Sequence, residues 1–216
     1  MIIIRVTGHS ELEGGSEEMG REHAKSAKRT AILEAALELI AEHGFQGAPT
    51  ARIAEKAGVG VGSIYRYFQD KDELIHEVFK HLKVEVTQEI LKCNDPNAPI
   101  REQYIRICLG HLRLMVQRKN IFSFIEQYFN SPYGISMRRA RSMGEHGEKP
   151  DEHPLHSLME EARVQQIIKD LPAPVLWALT IGPITFLIRD IHNGLVEFHE
   201  EMVKRTVEAC WDALKR

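Results

Sequence analysis

Cysteine is scarce in this chain. Its three cysteines, Cys93, Cys108 and Cys210, lie far apart in 216 residues, each in an apolar helical context. No CxxC spacing points to zinc or a redox pair, and an odd number does not build a disulfide framework. Buried thiols in a reducing compartment are the expectation. Long hydrophobic runs are lacking too. Residues 1–6 are apolar but too few for a signal-peptide core, and no small-residue cleavage site follows them. Residues 175–188 are interrupted by Gly182-Pro183 and ended by Arg189-Asp190, short of a bilayer span. These absences predict a cytoplasmic protein with no membrane partner.

The marks of catalysis are missing as well. There is no glycine-rich phosphate loop, no nucleophile elbow and no paired catalytic carboxylates. His146, Asp151, Glu152, His153 and His156 cluster in a polar stretch without rigid ligand spacing, which reads as a solvated loop rather than a metal site. Neither His76 with His81 nor His192 with His199 forms an i,i+4 pair. The sequence predicts no enzyme, no cofactor and no metal. A net charge of −3 and a pI near 6.4 exclude nucleic-acid binding by bulk charge, so any DNA contact must come from a local surface.

What the chain does have is helical periodicity. With 43% hydrophobic and 27% charged residues it is an ordinary globular composition, and no strand pattern or internal repeat appears. Residues 1–23 carry Gly14-Gly15 and several acids without periodicity and read as a flexible arm, with Met19 as an alternative start. A first helix is predicted over 25–43, with Ile32, Leu33, Ala36, Leu37 and Ile40 as its stripe and Gly44 just past its end. Lys25, Lys28 and Arg29 at its start oppose the helix dipole, a mild cost that favours a phosphate-facing role.

Residues 49–68 organise the rest. Thr50 is read as an N-cap, Ile53, Ala54 and Ala57 share one face, and Gly58 supplies a left-handed exit. A second short helix starts near Gly60 or Val61, with Ile64 and Phe68 inward and Gly62, Ser63, Tyr65 and Arg66 outward. Two helices joined by a glycine turn, the second with a small polar outer face, describe a helix-turn-helix. Asp70 and Glu73 then form a capping box opening a helix that runs to about residue 91, straight or broken near His81.

Further helices are predicted over 100–118, 121–129, 154–169, 175–197 and from there to near 215, with a long loop over 134–153 that has room for a helical turn. The fold class is all-α, with about nine helices. The domains expected are a flexible arm (1–23), a helix-turn-helix DNA-binding domain (24–82) and a ligand-binding and dimerisation domain (83–216).

The run Ile-Ala-Glu-Lys-Ala-Gly-Val, then Gly-Ser-Ile-Tyr-Arg-Tyr-Phe, then Lys-Asp-Glu-Leu resembles the DNA-binding domain of the TetR/AcrR family of bacterial transcriptional regulators, over about 25–79. Two positions depart from that pattern. Gly60 stands where the family usually has Ser or Thr, and Tyr67 where His is common. The resemblance implies that Tyr65 and Lys71 contact the DNA backbone. Thr50, Arg52 and Lys28 are further candidates for phosphates, and Gly60 and Tyr67 are DNA-binding candidates that bear on affinity or operator choice. Val61, Gly62, Ser63 and Arg66 are the candidates for base edges.

The 175–188 segment is apolar nearly all round and must be covered on more than one side. The resemblance implies that it and the last helix build a homodimer. Tyr104, Cys108, His111, Phe122, Phe124, Tyr128, Trp177, Ile181 and Phe186 are candidate lining for a ligand pocket, with Glu126 nearby, although core packing alone explains any single one. The function expected is a ligand-responsive regulator, a repressor that binds a palindromic DNA operator as a dimer and is released by a small hydrophobic effector. A constitutive DNA-binding regulator, and a helical carrier or enzyme with a vestigial helix-turn-helix, remain open alternatives.

Overall fold

The computed structural model describes residues 11–142 and 153–216. Among these residues it is all-helical, with ten helices, α1 Glu11–Gly47, α2 Thr50–Lys56, α3 Val61–Ile64, α4 Lys71–Leu91, α5 Ile100–Gln117, α6 Lys119–Phe129, α7 Pro132–Ser142, α8 Pro154–Val164, α9 Ala173–His192 and α10 Glu200–Leu214. Two compact units divide the chain after Val78, inside α4.

In the first unit α1, α2, α3 and the start of α4 enclose one core. Ile32, Ala36 and Ile40 of α1 are completely covered, and Ile53, Ile64, Phe68, Leu74 and Ile75 join them. Each of the Ile, Leu and Phe side chains among them contributes about 1.5–3 kcal/mol of burial. Gly44 is the one non-helical residue within α1, at φ 74°, so the break expected there is present. The helix begins much earlier than the sequence suggests, at Glu11, and the arm expected over 1–23 is helical across its second half. Residues 1–10, and Met1 as a start site, lie outside the described residues.

In the second unit α5 is central, packing against α6, α8, α9 and α10. Its buried residues Ile100, Tyr104, Ile107, Cys108, Leu112 and Met115 recur at three- and four-residue spacing, one continuous face. Phe79 stacks on Tyr128 at 4.1 Å with rings 5° from parallel. The end of α10 is fastened to the segment after α8. Lys169 donates its backbone N–H to Leu214 (2.9 Å) and its ammonium to Ala213 (2.6 Å), and Arg216 donates its N–H to Ile167 (3.2 Å). The two bonds from Lys169 satisfy helix-end carbonyls that α10 cannot satisfy itself, and the third runs the other way, from beyond α10 to the Ile167 carbonyl.

Several expectations are corrected. Part of the 134–153 loop is α7, an eleven-residue helix, and the remainder, 143–152, is outside the described residues. α8 stops at Val164 rather than 169, where Gln166 takes φ 59°. α9 ends at His192, with Gly194 at φ 70° just beyond. Cys93 after α4 is exposed, not buried, while of the two alternatives left open for α4 the unbroken helix is the one observed.

Gly182-Pro183 does not interrupt α9. A proline removes one N–H and one intrahelical bond, but the helix continues through it. By length and composition alone α9 is long and apolar enough to cross a membrane, yet only 22% of its most apolar window is buried. Leu176, Thr180, Ile184 and Ile188, four apart, are its buried residues. One side is covered within the chain. Val175 and Phe186 remain 43% and 59% exposed, and Leu195 just beyond is 74% exposed.

Candidate nucleic-acid interface

The geometry of the first unit follows from Gly58. At φ 66° it takes a conformation that side chains bearing a Cβ resist, and it turns the chain sharply after α2. The Val59 N–H returns to the Ala54 carbonyl at 3.0 Å and the Gly58 N–H to Glu55 at 3.1 Å, closing the helix end. α3 then starts at Val61, with Gly60 extended before it. Thr50 is not the cap of α2. It is the first helical residue, Pro49 occupies the cap position, and no side chain caps that end.

Ile64 and Phe68 anchor α3 inward, each 1% exposed. The opposite residues face outward. Val61 and Tyr65 are 42% and 53% exposed, Gly60, Gly62 and Arg66 are exposed, and Ser63 and Tyr67 are half-buried. A Cβ added to Gly60 or Gly62 would meet nothing within 4 Å, so the chain's own packing requires neither glycine. Gly62 inside a helix costs about 1 kcal/mol relative to Ala. Its absent side chain leaves bare backbone on the surface, open to close approach by another molecule.

The cations sort into two groups. Arg29 pairs with Glu77, and its guanidinium lies 5.3 Å from the Phe68 ring centre. Lys56 pairs with Glu38 at 2.7 Å. Both pairings lie within the first unit, and Arg29 is therefore engaged by a carboxylate of its own fold. Lys25, Lys28 and Arg66, by contrast, are exposed and in no ion pair among the described residues. Between these groups stand two residues tethered to the end of α1. Arg52 donates to the Gly47 carbonyl at 3.4 Å and lies 3.5 Å from the His43 ring. Lys71 donates to the Phe45 carbonyl, and its partial burial lowers the ammonium pKa from the ordinary value, against the opposing pull of Asp72.

The Phe45 and Gly47 carbonyls, which follow the break at Gly44, thus collect two cations from distant parts of the sequence. Sequence periodicity carries no sign of this. The capping at α4 is closer to expectation. The Glu73 N–H donates to Asp70 Oδ1 at 2.8 Å, and Glu73 in turn accepts from the Gln69 N–H.

The second set of site residues lies in the other unit. Tyr104, Cys108, Phe124 and Tyr128 are fully packed, each 1% exposed or less, and Phe122 is 6% exposed. Burial raises the Tyr104 and Cys108 pKa values well beyond their usual range, so both stay neutral. His111 is neutral for the same reason. Its Nδ1 is buried with no hydrogen-bond partner, and burial lowers the imidazole pKa to about 4.

Trp177 is half-buried, with His156 stacked on it at 4.4 Å and His153 edge-on at 5.3 Å. His153 also contacts His111 edge-on at 5.9 Å and accepts the Leu155 N–H at the start of α8. His156 therefore belongs to a packed helix and His153 is its N-cap, rather than either lying in a solvated loop. No group of three His, Cys, Asp or Glu among the described residues is placed to hold a metal. Ile181 is half-buried, Glu126 pairs with Arg189, and Phe186 stands apart on the outer side of α9.

Comparison with known proteins covers both units. Residues 32–78 match the model of "Bacterial regulatory proteins, tetR family", and residues 99–215 match "Tetracyclin repressor-like, C-terminal domain". The Fatty acid metabolism regulator protein of Bacillus subtilis is 29% identical over 97 residues, 45% of this chain and 50% of that protein. RutR of Escherichia coli K12 is 34% identical over 105 residues, 47% of this chain and 49% of its own length. The chain spans about half the length of the curated relatives it matches.

Among solved structures, a TetR family transcription regulator from Marinobacter aquaeolei superposes with a TM-score of 0.76. It is 24% identical, with 90% of this chain and 100% of that one covered. That likeness shows the fold.

Proposed function

This chain belongs to the tetR family of bacterial regulatory proteins, and on that premise we propose that it is a cytoplasmic, effector-responsive transcriptional regulator that binds palindromic DNA as a homodimer and acts as a repressor. The observation that carries the DNA reading is the outer side of α3. It presents two glycines that the fold does not need, an exposed Tyr65 and an unpaired Arg66. Arg66, with Val61, Gly62 and Ser63, is assigned to base edges. Lys28, Thr50, Arg52, Tyr65 and Lys71 are assigned to phosphates. Lys71 and Arg52 are oriented by carbonyls that phosphate oxygens can supplement. The reading assigns binding, not catalysis.

The exposed apolar side of α9 supports dimerisation, because a surface of that kind marks an interaction site and a second copy offers an identical one. An effector taken up by the second unit would weaken operator binding, and operator would weaken effector binding by the same factor. The solid packing of Tyr104, Cys108, Phe124 and Tyr128 favours a second reading in which no hydrophobic effector enters that core and the protein binds DNA constitutively.

The test is selection from a random duplex pool by the wild-type protein and by Arg66→Ala at one fixed salt concentration. The wild type should enrich a palindrome, and the variant should relax one position in each half, a loss of about 1–3 kcal/mol for a bidentate contact. Failure of the folded wild-type protein to enrich any sequence would overturn the reading.

A further inference from the structure

Where α1 ends and α2 begins, His43 and Gly47 share one side of the chain. His43 stands just before the break at Gly44, and a Cβ on Gly47 would lie 2.7 Å from the His43 Cβ. Two carbon atoms do not pack that closely, so the bare Gly47 backbone leaves room for the His43 side chain beside the Gly47 carbonyl. Both reach Arg52 of α2. One guanidinium nitrogen donates to the Gly47 carbonyl at 3.4 Å, and the other lies 3.5 Å from His43 Nε2.

A guanidinium has only donors, so the nitrogen that faces it is bare, and the neutral His43 ring carries its proton on Nδ1. The same Nε2 lies 3.7 Å from the Glu42 carboxylate, with which a ring protonated there would pair. One nitrogen thus faces a cation from α2 and an anion from its own helix, and the proton decides between them. Of the other cations at this corner, Lys56 of α2 pairs with Glu38 at 2.7 Å, and Lys71 of α4 donates to the Phe45 carbonyl.

We propose that His43 is a further contact to the DNA backbone, one that takes up a proton as the DNA binds. It rests on the assignment of Arg52 to a phosphate. A phosphate oxygen that bonds the Arg52 guanidinium, at about 2.7–2.9 Å, draws it off the ring and brings negative charge beside Nε2. The ring then binds a proton from solvent, and Nε2 turns from acceptor for Arg52 to donor for the phosphate. Phosphate and Glu42 both favour the imidazolium, and the charge of Arg52, which opposes it, is now met by the same phosphate. The sign follows from linkage. DNA raises the affinity of His43 for its proton, so the proton raises the affinity for DNA by the same factor. The gain is full on the acid side of the range in which imidazoles titrate, about pH 5 to 8, and is lost as the pH rises through it.

Fluorescence anisotropy of the full chain with a duplex bearing the selected palindrome tests this for the wild type and for His43→Gln. The titrations are made at about pH 6 and about pH 8, each over a series of salt concentrations. Glutamine offers an amide oxygen to Arg52 and cannot be protonated. The wild type should bind at least about threefold more tightly at the lower pH, with a salt slope steeper by about one phosphate per protomer. His43→Gln should lose both differences. His23, His76 and His81 are retained in that variant, so any pH dependence of their own would persist in it. His43 is exposed, and its substitution leaves the core intact. Equal wild-type affinity at the two pH values, or a difference that survives in His43→Gln, would overturn the proposal and leave the regulatory reading standing. A folded wild-type protein that binds no duplex at either pH would overturn both.

Discussion

Gly58 and Gly62 stand four residues apart and answer to different demands. Gly58 holds φ 66°, and the turn between α2 and α3 requires it. Gly62 has ordinary backbone angles and open space where a side chain would stand. Replacing Gly62 by Ala should therefore stabilise the fold, by up to about 1 kcal/mol, while weakening DNA binding through the added methyl group. Urea midpoints and DNA titrations of the same preparation check both signs. Unimpaired DNA binding would show that nothing approaches α3 closely at that point.

The two glycines were legible in sequence because one terminates a helical stripe and the other is out of place in a helix. Arg29 was not legible. It looked like Lys25 and Lys28, three cations at one helix start, and only the fold brings Glu77 and the Phe68 ring to it.

Among the elements, periodicity located α4, α5, α6 and α10 well, because each buries a single stripe against neighbours in its own chain. It failed at α7, whose sequence PYGISMRRARS has little apolar content to mark a face. It failed differently at α9. An apolar helix looks buried all round from sequence, whereas within this chain Leu176, Thr180, Ile184 and Ile188 account for its buried side. Val175 and Phe186 are exposed, open to another molecule. If that molecule is a second copy, Phe186→Glu places like charges together in a desolvated contact and should convert the protein to a monomer. Sedimentation equilibrium distinguishes the outcomes, and an unchanged mass would move the interface elsewhere or mark a different occupant for α9.

At the scale of the whole molecule, a net charge of −3 hides a division of labour. The first unit carries the free cations Lys25, Lys28 and Arg66, while composition averages them against acids elsewhere. The second unit supplies the exposed apolar side of α9. A dimer that holds two recognition helices at one fixed separation can engage both halves of a palindrome only when their spacing matches, about one helical turn of 10–10.5 base pairs.

The most direct measurement compares the affinity for a duplex bearing the selected palindrome with that for the same duplex carrying five extra base pairs at its centre, at one salt concentration. Half a turn of added twist moves one half-site to the opposite side of the duplex. Affinity should then fall toward the non-specific level, a loss of at least about tenfold. Equal affinity for the two duplexes would contradict the account, because it would mean that each recognition helix reads DNA alone.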